Sequence, residues 1–227
     1  MGRPGGHAHP EVGTLVSMNT EVFRAWIVSA AEVIEANRDH LTQLDAAIGD
    51  ADHGTNLARG FTAVTAAIEG AATPGAVLTV TGNTLISKVG GASGPLYGVA
   101  FRRAGKALGT APEADLPALG QALEAALAGV QQLGAAREGD KTMVDALAPA
   151  TRAFGKAIAD GAPMADALSA LAAAAAAGAA ATVSMQARKG RASYLGPRSV
   201  GHEDPGAAST ALILAALRDA VIRDTGA

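Results

Sequence analysis

The chain contains no cysteine. That absence removes disulfides, thiolate metal sites and cysteine nucleophiles together, and leaves oxygen and nitrogen as the ligands open to any metal. Aromatic residues are scarce, at 3% of 227 residues, although 49% of the chain is hydrophobic. The apolar share therefore rests on Ala and Leu, which favour helix, more than on the β-branched and aromatic residues that favour strand. No strand-like alternation with hairpin signals occurs, and the expected fold class is all-α. An excess of positive charge is also lacking: the formal net charge is −3, the opposite of the balance needed to neutralise nucleic-acid phosphates. Nucleic acid is not an expected partner.

Neither a signal peptide nor a membrane anchor is evident. Met1 to Gly13 is rich in Gly, Pro and His without an apolar core, and residues 1–19 read as a disordered extension whose His7 and His9 are inert. Ala167 to Met185 is uncharged and long, but it is mostly alanine, which gains little from transfer into lipid, so it reads as a tightly packed helix of a soluble, cytoplasmic protein. Residues 20–227 are expected to form a single domain.

About eight helices follow from periodicity and break residues. They run from Thr20 to Arg38, from the Asp/Gly-rich segment Asp45–Gly54 to Glu69, from Pro74 to just before Gly90, and onward from Pro95. Then come Leu116 to Leu133, Lys141 to Ala159, Met164 to Met185 and, after a polar loop from Gln186 to Pro205, Gly206 to Arg223. If consecutive helices run antiparallel, every second helix starts at the same end of the molecule. The unusual segments Asp45–Asn56, Gly90–Pro95, Glu138–Met143 and His202–Thr210 stand at the starts of the second, fourth, sixth and eighth helices, so all four should meet. The other starts, such as Thr73-Pro74-Gly75, are plain structural punctuation.

The converging segments suit a metal-bound polyphosphate. Asp45, Asp50 and Asp52 place three carboxylates in a short space with no soft ligand, the donor set of a hard cation such as Mg²⁺. As alternatives, aspartates also cap helices and shape turns. Gly90-Gly91-Ala92-Ser93-Gly94-Pro95 presents backbone N–H groups at the positive end of a helix dipole, where phosphate binds. No Gly-Lys-Ser/Thr follows, so it is not a Walker motif, and a tight helix connection would look similar. Gly139-Asp140-Lys141-Thr142-Met143 and Asp204-Pro205-Gly206-Ala207-Ala208-Ser209 have the same build. The loop from Ala187 to Arg198 is basic, with Arg191 suited to phosphate oxygens and Gly190 and Gly196 as hinges; a solvated basic loop or an RNA-contacting patch would share that composition. His53 and His202 are expected to hydrogen-bond neighbours rather than to ligate or shuttle protons.

Leu44–Asn56, Gly90–Gly98, Gly139–Met143 and Met185–Ser209 resemble, in order, the signature segments of the L subunits of dihydroxyacetone kinase, the DhaL family. The resemblance runs from Thr20 to the C-terminus. It implies an antiparallel eight-helix barrel or bundle and a pair of Mg²⁺ ions on Asp45, Asp50 and Asp52. Contacts to ADP/ATP are implied for His53, Gly54, Thr55, Asn56, Ala92, Ser93, Gly134, Met143, Arg191, Asp204, Pro205 and Gly206, with adenine near Met143 and Arg191 also assisting transfer. The implied partners are DhaK, which holds dihydroxyacetone, and DhaM, whose phosphohistidine rephosphorylates ADP; a homodimer is compatible with the same family. Phosphoryl transfer is mostly positioning and charge neutralisation, so no general base is assigned to this chain. An ATP-dependent dihydroxyacetone or tetrose kinase subunit, a metal-dependent phosphatase and a nucleotide-sensing regulatory module are the competing functions.

Overall fold

The computed structural model describes residues 17–225. Among them are nine α-helices and one pair of two-residue strands: β1 (Met18–Asn19), α1 (Thr20–Ala36), α2 (Arg38–Ile48), α3 (His53–Ala67), α4 (Pro74–Lys88), α5 (Ser93–Leu108), β2 (Glu113–Ala114), α6 (Leu116–Gly134), α7 (Val144–Ala159), α8 (Met164–Ala181) and α9 (Pro205–Thr225). Two 3-10 segments, Thr182–Ser184 and Arg191–Ser199, lie between α8 and α9. The all-helical class is borne out. One helix more than expected arises because the chain turns at Asn37, at φ −105° and ψ 11°, and continues as a separate helix over Arg38–Ile48, a stretch not assigned to a helix from the sequence, so Asp45 stands in the last turn of a helix and not in a loop. Within the stretch 1–19 expected to be an extension, Met18 is buried and pairs antiparallel with Ala114, and Asn19 pairs with Glu113. His7 and His9 lie outside the described residues.

Local signals account for several boundaries. The Asn19 side chain accepts the N–H groups of Glu21 and Val22 and so caps α1; Thr73 caps α4 just before Pro74, and Asp115 caps α6, each satisfying helix donors that would otherwise lack partners. The α1 face bearing Val22, Phe23, Trp26, Ile27, Ala30 and Ile34 is buried, at the spacing of one helical stripe. Phe23, Trp26, Phe61 and Phe101 stack edge-on or tilted, with centroids 5.8–6.3 Å apart. Trp26 Nε1 also donates to the Ile213 carbonyl of α9 at 2.9 Å. Most of the aromatic content thus ties α1, α3, α5 and α9 into one core.

Chain neighbours from α3 to α9 pack on one another in sequence, α9 returns to α1, and α1 meets α3. Among the described residues, α8 and α9 are long and apolar enough to cross a membrane by length and composition alone; in the fold they lie against each other, with α7 beside α8 and α1 beside α9. Between α4 and α5 the approach is set by glycine. A Cβ on Gly75 would come 2.1 Å from the Gly109 carbonyl, one on Gly82 2.6 Å from that of Gly98, and one on Gly105 2.5 Å from that of Gly75. The seven-residue spacing on each helix aligns these glycines along an antiparallel seam.

Candidate functional site

The end of α2 and the starts of α3, α5, α7 and α9 surround a cavity of about 270 Å³. The four segments expected to converge therefore do meet. One wall is acidic, with Asp45, Asp50 and Asp52; another is largely apolar, with Leu96, Val130, Ala136, Met143 and Val144; Lys189 and Arg191 form a basic lip.

Carboxylate oxygens of Asp45, Asp50 and Asp52 lie within 4.8 Å of one another. Asp45 is 8% exposed, and its Oδ2 accepts the N–H groups of Asp52 at 2.8 Å and His53 at 3.1 Å, leaving Oδ1 toward Gly49. A Cβ at Gly49 would stand 2.0 Å from that oxygen, so only glycine leaves it open. Asp52 begins α3 without a side-chain capping bond, which sets the capping alternative aside for this residue. Ala51, between Asp50 and Asp52, has φ 61°, a conformation that costs a non-glycine residue about 1–2 kcal/mol. All-oxygen donors at this spacing fit a hard divalent cation. Asp50 Oδ2 also meets Arg191 at 3.1 Å, which brings the basic loop onto the acidic wall.

His53 links three helix starts. Nδ1 lies 3.0 Å from Ser93 Oγ and Nε2 2.9 Å from Ser209 Oγ. Burial lowers its pKa to about 4, against the attraction of Asp45, so the ring is neutral near pH 7 and both nitrogens are engaged by hydroxyls and not by carboxylates. Ser209 in turn meets Tyr97 Oη at 2.7 Å, and Thr210 Oγ1 lies 2.9 Å from the same phenol; burial raises the Tyr97 pKa to about 12, the two hydroxyls opposing the shift. Asp204 accepts the Ala207 N–H at 2.7 Å at the start of α9. Burial, aided by Asp145, pushes its pKa up to about 7 against its backbone bonds and Lys141.

Of the residues singled out in the sequence, Asp45, Asp50, Asp52, His53, Ala92, Ser93, Gly134, Met143, Arg191, Asp204, Pro205 and Gly206 line the cavity. Gly54, Thr55 and Asn56 are not among its lining residues. Gly54 packs where a Cβ would meet the Arg38 carbonyl at 2.0 Å, Thr55 is exposed, and the Asn56 amide oxygen accepts from Arg59 at 2.8 Å. The His202 side chain does no visible work; only its carbonyl does, accepting from Lys141.

Four residues that organise the site were given no role of their own from the sequence: Tyr97, Lys141 and Ser209, which lie inside the segments singled out there, and Asp145, which lies outside them. Asp145 Oδ1 accepts the Gly139 N–H at 2.6 Å and Oδ2 the Thr142 N–H at 2.8 Å. The Thr142-x-x-Asp145 spacing of a capping box carries that signal. Lys141, expected to begin a helix, instead has φ 61°, and α7 starts only at Val144. The three non-glycine residues with positive φ among the described residues, Ala51, Ala135 and Lys141, are all adjacent to cavity-lining residues. Backbone strain gathers where function is usually found.

The same span of chain, residues 47–219, matches the DAK2 domain. The chain belongs to the DAK2 domain family. It is 41% identical over 191 residues to the ADP-binding subunit DhaL of the PEP-dependent dihydroxyacetone kinase of Escherichia coli K12, an alignment covering 83% of this chain and 91% of that subunit. With the ADP-binding subunit DhaL of the PTS-dependent dihydroxyacetone kinase of Lactococcus lactis, identity is 38% over 199 residues, covering 86% and 95% of the two chains. A crystal structure of the dihydroxyacetone kinase from C. freundii in complex with AMP-PNP and Mg²⁺ superposes with a TM-score of 0.65 at 26% identity, covering 96% of this chain and 37% of that one. The resemblance of this DAK2 chain to the DhaL family, read from its signature segments, is borne out.

Proposed function

We propose that this chain is the nucleotide-carrying subunit of a dihydroxyacetone kinase, a phosphotransferase active with partner subunits in the cytoplasm. The observation that carries the reading is the meeting of four helix starts and three clustered aspartates around one cavity, in a chain alignable over most of the length of the DhaL subunits. On this reading Asp45, Asp50 and Asp52 hold Mg²⁺, which would neutralise charge on the nucleotide phosphates. The N-termini of α5 and α9, at Ala92–Ser93 and Pro205–Gly206, offer positive dipole ends to the same phosphates. Met143, Val130 and Gly134 bound an apolar slot suited to a flat base.

The chemistry asks little covalent work of this chain. The transfer would break the bond between the γ-phosphorus of ATP and its β-bridging oxygen and form one to a hydroxyl oxygen of dihydroxyacetone on the DhaK subunit, whose own groups would accept the hydroxyl proton. Arg191 stabilises the transferring group, and the ADP left behind regains a phosphoryl group from the phosphohistidine of DhaM. Neutral, doubly hydrogen-bonded His53 holds α3, α5 and α9 in register and is not a proton carrier.

The test is to purify the chain without added nucleotide, denature it, and identify what is released, with magnesium measured on the same sample. Stoichiometric ADP with Mg²⁺ supports the bound-cofactor subunit. An empty protein that binds ATP reversibly supports an ATP-exchanging kinase, and absence of both nucleotide and Mg²⁺ affinity removes the assignment.

A further inference from the structure

Lysine in a Gly-Asp-Lys-Thr segment at a helix start invites assignment as a phosphate ligand, yet the Lys141 side chain is turned away from the cavity. The residue is 1% exposed and is not among those lining the cavity. Its Nζ donates to the carbonyls of Thr182 at 2.9 Å, Met185 at 3.2 Å and Ser199 at 2.7 Å, and to that of His202. An ammonium has three protons, so four carbonyls share them. Two of these acceptors precede the basic loop and two follow it.

Further bonds tie the same neck. The Ala187 N–H donates to Ser199 Oγ at 2.9 Å, Gly201 N–H to the Val183 carbonyl at 2.8 Å, and Arg188 N–H to the Asp140 carbonyl at 3.0 Å. Asp204 N–H donates to Thr182 Oγ1 at 2.9 Å. Between these ties, residues 188–198 form a compact loop with joined ends, the form of an Ω-loop. Gly190 at φ 67° and Gly196 at φ 56° turn it, Ala192 and Leu195 rest on Ile48 of α2, and Arg191 reaches Asp50.

We propose that Lys141 is a positioning residue for Arg191: its buried ammonium clamps both roots of the 188–198 strap, so the strap is anchored to the Gly139–Met143 segment and holds its arginine over the acidic wall. The clamp itself is independent of any ligand; what Arg191 does there rests on the nucleotide-carrying function proposed above. The two ends of the cavity are thereby joined through one side chain, since the segment that carries Lys141 also carries Met143 of the apolar wall. A buried ammonium held by carbonyls is a strong tie, because its removal leaves several buried acceptors unpaired.

The strap carries its own probe, since Arg188, Lys189, Arg191 and Arg198 are trypsin sites. Full-length protein and its Lys141→Met variant are digested briefly without nucleotide, and cleavage inside the strap is compared with loss of the intact helical core. The variant is expected to be cut in the strap at least about 10-fold faster with its helical circular dichroism retained, the mark of local opening and not of global unfolding. Nucleotide release is expected to quicken by a similar factor at unchanged nucleotide stoichiometry. Equal strap cleavage in the two proteins overturns the clamp. Faster cleavage with unchanged nucleotide release overturns the positioning of Arg191 while leaving nucleotide binding intact; a chain that binds no nucleotide overturns the proposed function and the role given to Arg191 with it. Should Lys141→Met fail to fold, hydrogen exchange on the unaltered protein decides: the amides of Ala187, Arg188, Gly201 and Asp204 should exchange at least about 100-fold more slowly than those of Gly190 to Tyr194, and equal rates overturn the proposal.

Discussion

The α4–α5 seam and the cavity end of the molecule solve one problem, close approach of backbone, in opposite ways. At the seam, Cβ atoms are what is missing: Gly75, Gly82 and Gly105 each have a facing carbonyl oxygen 2.6 Å or less from where a Cβ would stand. At the cavity end, side chains stand in for missing regular structure, with Asp45, Asp145, Lys141 and Ser199 each bonding main-chain groups that no helix satisfies. The first arrangement works by excluding atoms. The second is held by charge and hydrogen bonds, and so responds to ions and pH. The site proposed above to hold a charged ligand belongs to the second kind.

Breaking the seam should have the largest effect. Gly75→Val places a branched side chain where a single Cβ already meets a carbonyl at 2.1 Å, and unfolding by urea should show a loss of about 3 kcal/mol or more; a loss below about 1 kcal/mol would mean the seam relaxes freely. Asp50→Asn should do the reverse, leaving the fold within about 0.5 kcal/mol. Its Mg²⁺-dependent nucleotide affinity, read by calorimetry, should fall at least about 100-fold, beyond the effect of losing an outer partner of a metal ligand. Unaltered nucleotide retention would count against the metal assignment.

The pH response sharpens the contrast further. Asp204 has its pKa raised from 3.8 to about 7, so its stabilising contribution is full below the unfolded value and is lost as pH rises through about 7. His53 is lowered from 6.5 to about 4, so its contribution is full above 6.5 and is lost as pH falls through about 4. The two slopes, each at most about 1.4 kcal/mol per pH unit, oppose one another between these values. Asp204→Asn should therefore leave stability rising from pH 4.5 to 6.5, and His53→Gln should leave it falling, both measured by urea unfolding. A flat profile in either variant would contradict the opposition. The smallest effect is expected of Tyr97→Phe, which removes the bonds to Ser209 and Thr210 at about 1 kcal/mol without altering nucleotide stoichiometry; a larger loss would mean that the hydroxyl network is the main tie between α5 and α9.

How much was legible can be traced through individual residues. Thr73-Pro74 and Asp115 announced helix starts because capping is a local property. The carboxylates Asp45, Asp50 and Asp52 announced a cluster of hard oxygen donors because they stand close together in sequence, and the structure brings their oxygens within 4.8 Å of one another. Asn37 did not announce the break that creates α2, since asparagine is tolerated inside helices as well as at their ends. Tyr97 and Ser209 were silent for another reason: their partners lie 112 positions apart in sequence.

The sequence by itself determined the helical class and the end of the molecule at which its unusual polar segments gather, because periodicity, break residues and charge type act over a few positions and parity carries them across the bundle. Tertiary structure alone decided which members of each motif face inward. Asn56 turned to Arg59 while its neighbour His53 turned to Ser93 and Ser209, and Lys141 turned from phosphate-ready to a clamp on four carbonyls. Each residue rotates a helical side chain by about 100°, and a single left-handed residue redirects a loop. Such directions are settled by burial against distant segments, which no local window of sequence contains.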